Sequence, residues 1–154
     1  MARGFMGGFA HWLGSDSRMP VKLVKNGQAL LPGRVYVAPD DQHFGFAANG
    51  SVKLSDAPPI NRFRPSADHL FSSIAKTFGA RCVAVICTGM GSDGAHGLEA
   101  AHNAGTFVIA QDEATSVVFG MAQEAINRNA VDLVLPIDAI GPKLNEIVKA
   151  TKHA

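Results

Sequence analysis

The spacing of apolar residues changes character near residue 60. Before it, apolar positions fall in short extended clusters cut by turn signals; after it, helical stripes alternate with strand-length runs. At the start, Phe5, Phe9, Trp12 and Leu13 recur at helical spacing and predict a helix over residues 3–13 with one apolar face. Gly4, Gly7 and Gly8 weaken it, each costing about 1 kcal/mol against alanine. Residues 21–25, 28–31 and 34–38 read as short extended pieces separated by Asn26-Gly27 and Pro32-Gly33. A hairpin is predicted from residues 43–47 and 51–55 around Asn49-Gly50, a pair suited to positive-φ turn positions. Ala57-Pro58-Pro59 ends the extended section.

From Pro65 the period becomes helical. Ser66 is placed to cap a helix whose Leu70, Phe71, Ile74, Ala75 and Phe78 form one stripe, stopped by Gly79. The apolar run 82–87 predicts a strand, followed by the glycine turn TGMGSDGA (88–95) and a helix over 95–104 ending at Gly105. A strand at 106–110, a polar loop at 111–116, a short helix around 121–127 and a strand at 131–135 follow. Pro142 is read as the start of a last helix carrying Leu144, Ile147 and Val148. This β-α-β-α-β-α order, with short links, predicts an α/β domain: a doubly wound, mainly parallel sheet with antiparallel hairpins in the N-terminal half.

Composition narrows the function classes. The 154 residues are 47% apolar and 18% charged, a globular balance large enough for one domain. Net charge is +1 without a basic block, so no electrostatic footprint for nucleic acid or an anionic membrane is expected. Apolar runs fall far short of the roughly 20 residues a membrane span needs. The opening residues lack the apolar stretch of a secretion signal, and a cytoplasmic location is expected. Cys82 and Cys87 read as two buried thiols on opposite faces of one strand.

The chemistry concentrates in residues 88–95. Gly89, Gly91 and Gly94 form a dinucleotide-type glycine pattern after a strand and before a helix, with Asp112 placed where a ribose-binding acid belongs. That makes a Rossmann-type nucleotide site one reading. Against it, Asp93 puts a carboxylate beside the helix N-terminus where a pyrophosphate would sit. Asp93 itself has two compatible readings: a cap on the helix it precedes, or an orienter of a histidine in acyl transfer.

Four segments resemble the catalytic domain of the CheB protein-glutamate methylesterase family: LPGRVYVAPDDQH (31–43), PPINRFRPSADHLF (58–71), VICTGMGSDGAHGL (85–98) and AQDEATSVVFGMAQEAI (110–126). The resemblance implies hydrolysis of glutamate γ-methyl esters, and glutamine deamidation, on chemotaxis receptors through a Ser-His-Asp acyl-enzyme. It places Asp93 as the triad aspartate and the backbone N–H of Met90 as an oxyanion donor, and it sets Arg64 (or Arg62) and Ser116 along the substrate cleft. No metal and no cofactor are implied. The partners implied are methylated receptors.

Two members of the triad do not map onto these residues. The family's serine lies in a GASTGG-like turn and its histidine in a QHMPPGF-like segment; the opening MARGF aligns with the tail of the latter, and no GAST or STGG string occurs. Ser72, Ser73 and Ser92 lack the setting of a nucleophile, and His43, His69, His96 and His102 read as surface or capping residues. The expectation is a domain without its first two strands and receiver domain, retaining only Asp93 and inactive as it stands. An exposed sheet edge open to self-association follows. A non-catalytic receptor- or partner-binding role is the other reading the missing groups leave open.

Overall fold

The computed structural model describes residues 4–151. Its first helix, α1 (Phe5–Asp16), covers the predicted segment, whose residue 3 lies outside the described residues. Met6 and Ala10 are its buried residues, packed with Val37 and partly buried Phe9, Val21 and Leu23. The predicted stripe is therefore split: Phe5 and Trp12 are 48% and 63% exposed. At 3.6 residues per turn, Met6, Phe9, Ala10 and Leu13 share one face, and Phe5 and Trp12 fall beside it.

Two of the three early extended pieces become strands. β1 (Val21–Leu23) and β2 (Val35–Val37) pair in parallel, Val21 opposite Val35, so the first of the expected antiparallel hairpins is not formed: both strands pack their inward residues on Met6 and Ala10 of α1. Residues 28–31 form no strand; instead the turn before them pads the next sheet, with Gly27 N–H donating to Val52 O and Asn26 Oδ1 accepting from Leu54 N–H. β3 (His43–Phe46) and β4 (Val52–Ser55) make the predicted antiparallel hairpin. Gly50 supplies φ 80° at the turn, and Asn49 Oδ1 accepts the Ser51 N–H.

The second half alternates as predicted. α2 (Ala67–Thr77) leads through a 3₁₀ turn to β5 (Val83–Ile86), α3 (Ala95–Asn103), β6 (Phe107–Gln111), α4 (Met121–Asn127), β7 (Leu133–Leu135) and α5 (Ile137–Thr151). The three strands form a parallel sheet in the order β5-β6-β7. β6 lies between the other two, and Val108, Ile109 and Ala110 are fully buried. Its core partners are small or branched: Ala84, Ile86, Leu98, Ala122, Ala125 and Ala130. Alanine at the helix contacts lets backbones approach the sheet closely. α5 starts five residues before Pro142, which sits inside it. Pro142 has no N–H to donate to the preceding turn and its ring crowds the carbonyl four residues back, yet α5 runs through it to Thr151, with Ile140 as its buried residue. Cys82 and Cys87 are free and half-buried rather than buried, and burial raises both thiol pKa values.

Candidate active site

Asp93 does not cap the helix that follows it. Gly94 stands at the α3 N-cap position, with φ 101° and no side-chain cap. The half-buried Asp93 carboxylate instead caps α2 from outside: Oδ2 accepts the Ala67 N–H at 2.8 Å, and Oδ1 accepts the Asp68 N–H at 3.2 Å and the Ser66 hydroxyl at 2.7 Å. Asp68, in the first turn of α2, returns the favour to α3. Its Oδ1 accepts the Gly94 N–H at 3.0 Å and the Gly97 N–H at 2.8 Å. Each aspartate thus satisfies the orphan donors of the other's helix. The close crossing depends on Gly97, where a Cβ would lie 2.6 Å from Asp68 O. Nothing local in the sequence signals this exchange, because its partners lie 25 to 29 residues apart.

The same geometry weakens the nucleotide reading. The α3 amides that a pyrophosphate would use are taken by Asp68. Asp112, the candidate ribose acid, accepts from Thr115 N–H and Thr115 Oγ1 within its own loop.

The turn 88–91 is fastened to the loop that follows β6. Thr88 N–H donates to Gln111 Oε1 at 2.7 Å, and Gln111 Nε2 donates to Thr115 O at 2.8 Å. Gln111 is 2% exposed, so this bridge is shielded from competing water. Gln111 thus ends β6 rather than opening the polar loop expected at 111–116, and it holds the turn in place. Thr88 Oγ1 also exchanges bonds with the Val118 backbone, and Gly89 N–H donates to Val118 O. Gly89 and Gly120 permit the approach: a Cβ on Gly89 would collide with Met121 Sδ, and one on Gly120 would lie 2.9 Å from Gly89 O. Held on both sides, the turn presents Met90, 83% exposed, with no partner for its N–H among the described residues.

Asp93 opens on a cavity of about 380 Å³ lined also by Met6, Asp40, Asp41, Arg62, Phe63 and Arg64, with two prolines. Arg64 is a wall anchor: Nε and Nη2 donate to Asp41 Oδ1, and Nη1 donates to Asp56 O and Ala57 O. Arg62, at φ 72°, lines the same cavity, and its guanidinium has no hydrogen bond or ion pair among the described residues. Ser116 is apart from this cavity; its hydroxyl donates to Asp112 O within the loop that borders the turn.

No imidazole reaches Asp93 among the described residues. His96 Nδ1 lies 3.1 Å from Arg128 Nη1, and His102 Nε2 lies 3.1 Å from Asp132 Oδ1. His43, expected at the surface, is fully buried, with Nε2 on Pro58 O and Nδ1 without a partner. His69 stacks on it at 4.6 Å between ring centres, and burial is the chief cause that lowers the His69 pKa. Ser66 is the serine that touches Asp93, but it is 2% exposed and its hydroxyl already donates to the carboxylate.

The family model for CheB methylesterase matches residues 1–144. A protein-glutamate methylesterase/protein-glutamine glutaminase of Anaeromyxobacter dehalogenans is 48% identical over 149 residues, covering 97% of this chain and 43% of that protein. Its counterpart in Salmonella typhimurium is 44% identical over 147 residues, covering 94% of this chain and 42% of that protein. The chain therefore spans about two fifths of the length of the curated relatives it matches. The crystal structure of the Thermotoga maritima CheB methylesterase catalytic domain superposes with a TM-score of 0.90 at 40% identity, covering 96% of this chain and 79% of that one. The fold, the turn that carries Asp93 and these matches lead to one assignment: the chain belongs to the CheB methylesterase family.

Proposed function

We propose that this chain supplies the aspartate and oxyanion side of a protein-glutamate methylesterase and glutaminase site. The observation that carries the reading is the Asp93 carboxylate. It is fixed by three donors and still borders a cavity. A carboxylate offers about four acceptor positions, so one on Oδ2 remains for an imidazole N–H. Asp93 then holds a histidine in the tautomer that lets its other nitrogen take the proton of an attacking serine. The histidine and serine come from outside the described residues, since none of these brings an imidazole to Asp93.

The reaction splits acyl transfer into two steps. The serine oxygen bonds to the γ-carbonyl carbon of a receptor glutamate methyl ester, and the histidine returns the proton to the departing methanol. Water then opens the acyl-enzyme by the same route, leaving free glutamate. The Met90 N–H, unpaired and held by the Gln111–Thr88 bridge, donates to the developing oxyanion. Arg64 stiffens the cavity wall, and unpaired Arg62 meets acidic receptor surface. Ser116 shapes the loop at the rim. The substrates are methylated chemotaxis receptors in the cytoplasm, a location compatible with the absence of any described helix long and apolar enough to cross a membrane. The outer edge of β5, unpaired with any strand among the described residues, associates with another strand.

A methanol-release assay on methylated receptor tests this. The 154 residues alone are expected to show no release above background, because losing serine or histidine costs roughly a million-fold in a comparable unit. Joined to a segment bearing the family's serine turn and histidine, they are expected to turn over. Turnover by the 154 residues alone would overturn the reading.

A further inference from the structure

Polar groups outside the Asp93 cavity gather between the β3–β4 hairpin and α2. His69, Ser72, Ser73 and Lys76 stand on α2 at the spacing i, i+3, i+4, i+7, one stripe of the helix. They face Gly45 on β3 and Lys53 and Ser55 on β4, where Lys53 is the registered partner of Gly45. A helix stripe turned toward a sheet is ordinarily apolar. Here it encloses a cavity of about 300 Å³ that shares no lining residue with the Asp93 cavity. Gly45 makes the floor: a Cβ there would lie 3.0 Å from Ser73 Oγ and 3.1 Å from His69 Nε2.

The charge in this cleft is one-sided. No lining residue is acidic, and neither Lys53 nor Lys76 forms an ion pair among the described residues. The neighbouring carboxylate in sequence, Asp68, is committed to Gly94 and Gly97. We propose that this cleft binds a phosphate-type oxyanion between the ammonium groups of Lys53 and Lys76, with Ser72 and His69 completing the donor set. Two ammonium groups give charge-assisted bonds, and the serine hydroxyl and the imidazole N–H add directional donors. The state of His69 fits: burial, then positive charge from His43 on β3, Lys53 on β4 and Lys76 on α2, lowers its pKa, and no facing carboxylate opposes them. A bound anion supplies the missing counter-charge and favours protonated His69.

The test is an NMR titration of the His69 ring signals against pH, in phosphate and in chloride of matched ionic strength. Phosphate is expected to raise the His69 pKa by about one unit, and the rise is expected to vanish in Lys53→Ala/Lys76→Ala. Both lysines are exposed and lie off the β5-β6-β7 sheet, so unchanged shifts in that sheet serve as the folding control. Phosphoserine provides the second arm. Tighter saturation with phosphoserine assigns the site to a phosphorylated side chain; tighter saturation with inorganic phosphate assigns it to the free ion. No saturable shift with either, or an equal shift in the double variant, would overturn the proposal. Esterase activity enters neither arm, so this result stands apart from the fate of the Asp93 assignment.

Discussion

At the scale of residues, two aspartates tie two helices into one unit. Asp93 precedes α3 and caps α2; Asp68 belongs to α2 and caps α3. On the proposed reading Asp93 orients a catalytic imidazole and must not swing; its position is set by backbone donors of a second helix rather than by its own turn. Asp68→Ala leaves the buried Gly94 and Gly97 amides without an acceptor and is expected to lower stability by about 1–3 kcal/mol. Asp93→Ala is expected to cost a similar amount through α2. Because the two caps share one helix crossing, the double variant should cost less than the sum. Urea unfolding of the three variants measures this; strict additivity would mean that the two caps act independently.

Elements carry the balance between what was readable in the chain and what was not. The Asn49-Gly50 hairpin and the strand–turn–helix around residues 88–95 were legible, because turn chemistry and periodicity are local. The register of residues 21–37 was not: whether short apolar pieces pair in parallel or as a hairpin depends on what they pack against, here Met6 and Ala10 of α1. Pro142 suggested a helix start because proline suits a first helical turn and is costly further in, whereas α5 begins at Ile137 and carries it inside. The candidate site divides the same way. Asp93 and Met90 followed from their segment's resemblance, whereas Asp68 and Gln111 act across gaps of 26 and 23 residues that no periodicity reports. Glycine substitutions separate local from non-local demands. Gly97→Ala must push a Cβ into the Asp68 backbone and is expected to destabilise by about 1–3 kcal/mol. Gly7→Ala, in an exposed stretch of α1 with nothing near its Cβ, is expected to stabilise by about 0.5–1 kcal/mol. Thermal melts of both variants check the opposite signs.

For the whole molecule, the arrangement of sheets matters more than any single contact. The β1–β2 pair and the β5–β6–β7 sheet are separate, and β5 uses only one of its edges among the described residues. An open parallel edge with half-buried Val83 and Val85 invites another strand. The 154-residue chain is therefore expected to self-associate with rising concentration in sedimentation velocity; a monomer across the range, with a cooperative melt, would contradict this. The same strand, β5, leads directly into the turn that carries Met90 and Asp93.

The most direct test of the central claim is kinetic: Asp93→Asn in the 154 residues joined to a segment bearing the family's serine turn and histidine, assayed by methanol release. If Asp93 orients and stabilises the imidazole, kcat should fall by about 10⁴-fold, as for the corresponding change in a serine protease, with little change in KM. A variant that keeps near wild-type kcat while losing stability would show that Asp93 is a helix cap and nothing more.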